Sequence, residues 1–470
     1  MSSNTLLKDA WKKLDESIIT YKGEPVGTLA AVDSSMDSLN YDQVFTRDFA
    51  VSAFAFLMND RTEIVKNFLR ETGNLQSREK HLDCFKPGEG LIPASFKVES
   101  KYGKEIIIPD FGEKAIARVA PVDSGFWWLY ILRAYVKATD DWEFAYSDEI
   151  QKTIRLILEL SLVAKFDMFP TLLVPDGSFM IDRRMGVYGY PLEIQALFYT
   201  ALRLARELLK NTEENQEYIE AVRERLGHLT YHLRKYYWLD FNKLNEIYRY
   251  NVEEYSENAI NNFNIYPDTI PGWLYDWIPE NGGYFAGNLG PARMDFRFFS
   301  SGNLLSVISS LSDAGQSTAI INLFSEHWDE LIGKMPLKLC YPALEGRDWE
   351  VLTGHDPKNI PWSYHNAGSW PFLLWSFAAA AQKVNRADLA IDAVKTAEKR
   401  ILNDNWPEYY GGKQNNLIGK EARFNQTWTI AGYIAAKTLI ENPEKLAILD
   451  FEEDNEVLAC SVRIGEDLEH

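Results

Sequence analysis

Apolar residues recur at three- and four-residue spacing through most of the chain, the pattern of helices with one buried face. The spacing predicts helices over Thr5–Thr20, Phe49–Arg70, Phe126–Lys137, Ile150–Phe166, Leu192–Leu209, Tyr218–Tyr237, Leu304–Leu311, Ser317–Leu331, Pro371–Lys383, Arg386–Asp404 and Thr427–Leu439. Gly and Pro punctuate the gaps. Alternating Val, Ile and Thr are almost absent; Ala94–Pro109 predicts one short hairpin, and nothing predicts a central sheet. The expected class is all-α, in a single domain over residues 1–467, with Leu468-Glu469-His470 read as a vector-derived tail.

A loop mixing acids, arginines and aromatics stands ahead of a helix six times. Asp48, Asp123, Asp182, Asp295, Asn366 and Gln426 mark these loops, at spacings of 75, 59, 113, 71 and 60 residues. A spacing near sixty fits one helix in, one helix back and a loop at each end. Six such hairpins would close into an (α/α)6 barrel, a toroid whose inner helices all start on one face and present their N–H groups there. The interval of 113 then holds an insertion, placed around residues 240–290, where Tyr, Trp, Pro and Asn are frequent. An open solenoid would share the periodicity but would not need acid, Arg and Trp at each inner entrance.

Composition narrows the function. Lys and Arg number 49 against 68 Asp and Glu, a net charge of −19. That field repels phosphate backbones and anionic lipid, so neither nucleic acid nor membrane is an expected partner. Cys84, Cys340 and Cys460 match no metal spacing and read as free thiols of a reducing, cytoplasmic compartment. No secretory leader and no apolar run of spanning length is seen. No phosphate loop, His-Glu-x-x-His, Cys-x-x-Cys or nucleophile elbow occurs, so neither metal nor nucleotide cofactor is expected. Aromatics make up 13% of the chain and many stand beside Gly, Pro and Asp, which suits the apolar faces and hydroxyl edges of sugar rings.

Cleaving a glycosidic bond needs two carboxyl groups, one to protonate the leaving oxygen and one to activate water or attack directly. Asp182 is the first candidate: apolar residues lead into it, and Arg183 and Arg184 follow. Its plain alternative is a helix cap or a surface ion pair. Glu408, in Trp406-Pro407-Glu408-Tyr409-Tyr410, is the second; a loop acid bonded to backbone is the alternative. Asp48 and Asp123 open other inner helices, where Asp caps are routine. His365 beside Asn366 could grip hydroxyls or be structural. Arg47, Arg183 and Arg423 could bind hydroxyls or neutralise nearby acids.

Val44-Phe45-Thr46-Arg47-Asp48-Phe49, Arg118-Val119-Ala120-Pro121-Val122-Asp123-Ser124-Gly125 and Ile181-Asp182-Arg183-Arg184-Met185-Gly186 are a specific set. So are Pro191-Leu192-Glu193-Ile194-Gln195, Met294-Asp295-Phe296-Arg297, Trp362-Ser363-Tyr364-His365-Asn366 and the Glu408 segment. Across Tyr41–Ile440 the chain resembles the neutral/alkaline invertases of glycoside hydrolase family 100, found in cyanobacteria and plants. The resemblance implies an (α/α)6 barrel that hydrolyses sucrose to glucose and fructose near neutral pH, with inversion. It implies Asp182 as general acid and Glu408 as the second carboxylate, then a base for water. It places Phe45, Arg47, Asp48, Asp123, Trp128, Arg183, His365 and Arg423 near the sugar. Gly411 departs from the family, where many members carry Asp. Two other readings stay open: another glycoside hydrolase or phosphorylase on the same toroid, and a carbohydrate-binding scaffold without activity. Assembly into a homo-oligomer is compatible with the sequence, which carries no interface signature.

Overall fold

The computed structural model describes residues 3–35, 40–79, 88–113, 120–162, 169–174, 179–181, 183–187, 189–249, 265–290 and 293–469. Its principal helices are α1 (Ser3–Glu16), α2 (Thr46–Met58), α3 (Glu63–Asn74), α4 (Ser124–Thr139), α5 (Asp148–Ser161), α6 (Leu192–Leu208) and α7 (Glu213–His232). They continue with α8 (Ser300–Ile308), α9 (Ala314–Glu326), α10 (Leu374–Lys383), α11 (Ala387–Glu398), α12 (Thr427–Glu441) and α13 (Asn455–Glu469).

Burial sorts these helices into two classes. Helices α2, α8, α10 and α12 are buried nearly all round, as at Phe49–Met58 and Ser300–Ile308. Such helices have no face for water and must lie inside. Helices α3, α5, α7 and α11 bury one stripe only; in α11 it is Leu389, Ala390, Ala393, Val394 and Ala397. The inner helices pack in a cycle: α2 on α4, α4 on α6, α6 on α8, α8 on α10, α10 on α12, and α12 back on α2. Each outer helix follows an inner one and leans on it, as α7 does on α6 and α11 on α10.

The entrances to the inner helices are sewn to one another. Thr46 N donates to Ala94 O, and Ser124 Oγ to Ile92 O, so one short segment serves α2 and α4. Tyr190 N donates to Asn288 Oδ1 between the approaches to α6 and α8. Ser300 N donates to Leu339 O and Trp370 N to Leu337 O, joining α8 to α10; Thr427 N donates to Ala30 O, joining α12 to the approach of α2. These bonds gather the loops on one side of the cycle.

Several expected helices are shorter or broken. Phe49–Arg70 is two helices, because Asn59 caps α2 and Asp60 turns with φ +59, a conformation Asn and Asp tolerate best. Thr5–Thr20 ends at Glu16, since β-branched Ile18-Ile19-Thr20 pair as a strand with Glu24–Thr28. Lys22 and Gly23, both at positive φ, form the tight turn between them. Arg386–Asp404 stops at Glu398, and Ser317–Leu331 divides at His327.

The hairpin over Ala94–Pro109 is present as Ser95–Lys101 against Lys104–Asp110. The loop expected at Arg293–Arg297 is instead a strand, Arg293–Phe299. It pairs with Tyr284–Gly290 in a four-stranded sheet completed by Trp238–Leu239 and Cys340–Tyr341. The alternation Met294, Phe296, Phe298 against Asp295, Arg297 was the available signal. The described residues are therefore mainly helical with small sheets. The stretch around 240–290 contributes helices Phe241–Arg249 and Gly272–Trp277 beside that sheet. Among the described residues no helix is long and apolar enough to cross a membrane.

A close joint in the cycle lies where α12 meets the turn before α10. A Cβ on Gly432 would stand 2.4 Å from Phe372 O and 2.8 Å from its Cα. Gly432→Ala is expected to destabilise the fold by about 1–3 kcal/mol, read as a lower urea midpoint; an unchanged midpoint would contradict this packing.

Candidate active site

Glu408 lies in the approach to α12, held from both sides. Its backbone N–H donates to Arg423 O at 2.8 Å, and Tyr41 Oη donates to its Oε1 at 2.9 Å. The Arg423 guanidinium lies over the Tyr41 ring, 4.7 Å from its centroid. Burial raises the Glu408 carboxyl above its ordinary range; Lys358, the Tyr41 hydrogen bond and Arg423 oppose the rise. The backbone is strained to reach this placement. Asn405 and Trp406, directly ahead, sit at φ +58 and +51, and Trp362, Tyr364 and Ala367 at +64, +49 and +65. Left-handed non-glycine residues cost about 1–3 kcal/mol each and persist where packing over-determines them. Here it does: Tyr364 stacks on His365 at 3.9 Å, and Trp370 stacks on Tyr409 at 5.2 Å.

The first turns of α2 and α4 bring the other charged group. Arg47 Nε and Nη2 donate to the two oxygens of Asp123 at 2.5 and 3.1 Å. Asp123 is 1% exposed, so this forked pair holds a charge that water scarcely reaches. Asp48 neighbours both centres. Desolvation pushes its carboxyl up to about 7, with Glu408 and Asp123 adding to the rise and Arg47 opposing it. Asp48 and Glu408 therefore compete for charge in one desolvated space.

Of the residues expected at the site, Glu408, Arg423, Arg47, Asp48 and Asp123 come together. His365 lies against Tyr364, whose ring is 4.0 Å from Lys358 Nζ, on the same side as Glu408. Phe45 is the half-buried N-cap residue of α2. Asp182 lies outside the described residues, and of Arg183 only the backbone, in the short turn Arg183–Met185, is described. Trp128 is a correction. Its indole Nε1 donates to Thr72 Oγ1 and Leu69 O on α3, so the ring faces the outer layer and not the site. One step along α4, Trp127 turns inward beside Arg47. Asp295 and Arg297 are a buried structural pair, with Arg297 Nη2 also donating to Met185 O at 2.9 Å.

Sequence reasoning missed Tyr41, Lys358 and Glu193. Tyr41 is far from Glu408 in the chain, and Lys358 reads as an ordinary loop cation. Only Glu193 left a trace, as an acid within an otherwise apolar helix start. Among the described residues no group of three or more His, Cys, Asp or Glu could hold a metal ion.

The family described as alkaline and neutral invertase matches residues 10–443. The chain is 56% identical to cytosolic invertase 1 of Oryza sativa subsp. japonica, over 96% of this chain and 80% of that protein. It is 55% identical to alkaline/neutral invertase C, mitochondrial, of Arabidopsis thaliana, over 98% and 71% respectively. Among solved structures it is similar to the GH63 mannosylglycerate hydrolase of Thermus thermophilus, with TM-score 0.55 and 13% identity over 92% of this chain and 99% of that one. The last likeness is one of fold.

Asp123→Asn would leave the Arg47 guanidinium without its forked carboxylate. We expect a loss of roughly 3 kcal/mol, the scale for breaking a largely buried pair from one side. Equilibrium urea unfolding checks this, and a loss below about 1 kcal/mol, the value of an exposed pair, would contradict the pairing.

Proposed function

The chain belongs to the alkaline and neutral invertase family, and from that premise we propose how its residues hydrolyse sucrose to glucose and fructose. The cycle of inner helices is read as the (α/α)6 toroid, with the 240–290 region as its insertion. The glucosyl ring sits in the hollow where the loops gather. Glu408 takes a proton from water as that water attacks the anomeric carbon, and Asp182 protonates the departing fructosyl oxygen. The bond to the leaving oxygen breaks as the bond to water forms on the opposite face, which inverts the anomeric centre.

The observation that carries this reading is the environment of Glu408. A base must be ionised before it acts, and burial works against the charged form of this carboxyl. Tyr41, Lys358 and Arg423 each favour the charged form. A second observation supports a common hollow. Arg184, two residues beyond Asp182, is ion-paired with Asp356. Asp356 Oδ1 accepts from Lys358 N at 2.9 Å, and Lys358 is the cation nearest in effect to Glu408. The acid's loop and the base's loop are thus tied through one short segment. Arg47, Asp48, Asp123, His365 and Arg423 are assigned to the glucosyl hydroxyls, with Phe45 and Arg183 at the rim. No cofactor enters this chemistry. The free thiols Cys340 and Cys460 accord with a cytoplasmic setting; Cys84 lies outside the described residues.

Asp182→Asn and Glu408→Gln are each expected to abolish sucrose cleavage, by about 10²–10⁴-fold or more, while far-UV circular dichroism stays unchanged. Full activity in either purified variant would refute the assignment. Tyr41→Phe removes a hydrogen bond that favours ionised Glu408, so the Glu408 pKa rises and the acidic limb of the kcat/KM profile moves to higher pH. A limb that stays in place would show that Glu408 is not the base.

A further inference from the structure

Beneath the paired Arg47 and Asp123 lies a narrow cavity of about 10 Å³, space on the scale of one water molecule. Arg47, Trp127, Met180, Glu193, Trp375 and Trp428 line it. Glu193, in the first turn of α6, is 2% exposed. Among the described residues neither of its oxygens has a hydrogen-bond partner of good geometry, and the indole N–H groups of Trp127 and Trp375 on the same wall have none. A carboxyl buried this deeply with so little hydrogen bonding costs free energy that an apolar side chain would not. Among the described residues its neighbour Arg47 is the one cation lining the cavity.

We propose that Glu193 is a positioning residue for the hydrolysis: from below the site it keeps Arg47 committed to Asp123, and so fixes the turn of α2 on which Asp48 meets Glu408. The inference rests on the reading of Glu408 and Asp182 as the chemical pair. Arg47 has one guanidinium and three acids around it. Its fork on Asp123 is secure only while Glu193 is not a rival anion. Desolvation holds the Glu193 carboxyl protonated, up to about 8, with Asp123 adding to the rise and Arg47 and the nearby Met180 backbone opposing it.

Among the described residues the charged groups that act on Glu193 are Arg47, from α2, and Asp123, from the start of α4. Helices α8, α10 and α12 present Ser301, Leu305, Trp375, Ser376 and Trp428, none of which titrates. The segment carrying Met180 runs on to Asp182, outside the described residues. Ionisation of Glu193 therefore adds a charge that Arg47 answers. The guanidinium is drawn from Asp123, and activity falls on the alkaline side.

The test compares wild type, Glu193→Gln and Glu193→Leu by kcat and KM for sucrose, and by thermal unfolding, from pH 5 to about 10. Glu193→Gln keeps the neutral, polar form; its alkaline limb is expected at least about half a pH unit above that of wild type. Glu193→Leu, which cannot ionise either, is expected to share that raised alkaline limb, with kcat and KM near neutral pH little changed. The stability readout has a definite sign. A carboxyl that keeps its proton to higher pH when folded gives full stabilisation below its unfolded pKa, and loses it as pH rises through about 8. The Tm of wild type should therefore fall across that window relative to Glu193→Gln, which does not titrate. Coincident alkaline limbs together with parallel Tm curves would overturn the proposal, whether or not Glu193→Leu folds. A wild type that fails to cleave sucrose would instead sink the reading of the site, and the Tm comparison would still decide the state of Glu193.

Discussion

A shortage of positive charge in a desolvated space governs this site. Glu408, Asp48, Asp123 and Glu193 form a chain of electrostatic neighbours, Glu408 to Asp48, Asp48 to Asp123 and Asp123 to Glu193, and Arg47, Lys358 and Arg423 answer them. Burial weakens screening here, so the ionisation of Glu408, Asp48 and Glu193 answers to the charges around each. Arg47 goes to Asp123 in a fork and Tyr41, Lys358 and Arg423 support the charged form of Glu408, while desolvation raises the carboxyls of Glu408, Asp48 and Glu193 above their ordinary range. Division of labour among chemically similar groups follows from who holds which cation.

The helical cycle exists, in this light, to keep that arrangement dry. Helices buried all round can only persist inside a second layer, and their entrances then face inward on one side. Hydrogen bonds from Thr427 to Ala30 and from Ser300 to Leu339 draw adjacent entrances together. The left-handed residues at Asn405, Trp406 and Tyr364 show where the loops are pulled out of relaxed geometry to bring Glu408 and the aromatic wall inward. A loop that only connects helices has no reason to hold Trp and Tyr at positive φ.

Much of the fold was legible because helical periodicity is a local signal. The segments around Asp48, Asp123, Asn366 and Gln426 did stand at inner entrances, and the Asp313-x-x-Gln316 capping box shows how directly a start can be written. What failed was also local. Asn59-Asp60 breaks a run that periodicity alone continues, and Arg293–Phe299 is a strand because its neighbour Tyr284–Gly290, distant in pattern, supplies the partner. At the site, residue type picked out Glu408, Arg47 and Asp123, whose motifs combine acid, Arg and aromatic. It misplaced Trp128, since adjacent Trp127 and Trp128 point to opposite layers and no local rule says which. Tyr41 and Lys358 were invisible because what makes them important is proximity to Glu408, a property of closure.

The central claim is that Glu408 and Asp182 flank one glucosyl ring. A crystal structure of the Glu408→Gln variant with sucrose bound measures it directly. The expected result is the side chains of residues 182 and 408 on opposite faces of the anomeric carbon, with carboxyl positions about 6.5–9.5 Å apart and a water beside residue 408. Sucrose bound elsewhere, or a glucosyl ring that residue 182 does not reach, would contradict it.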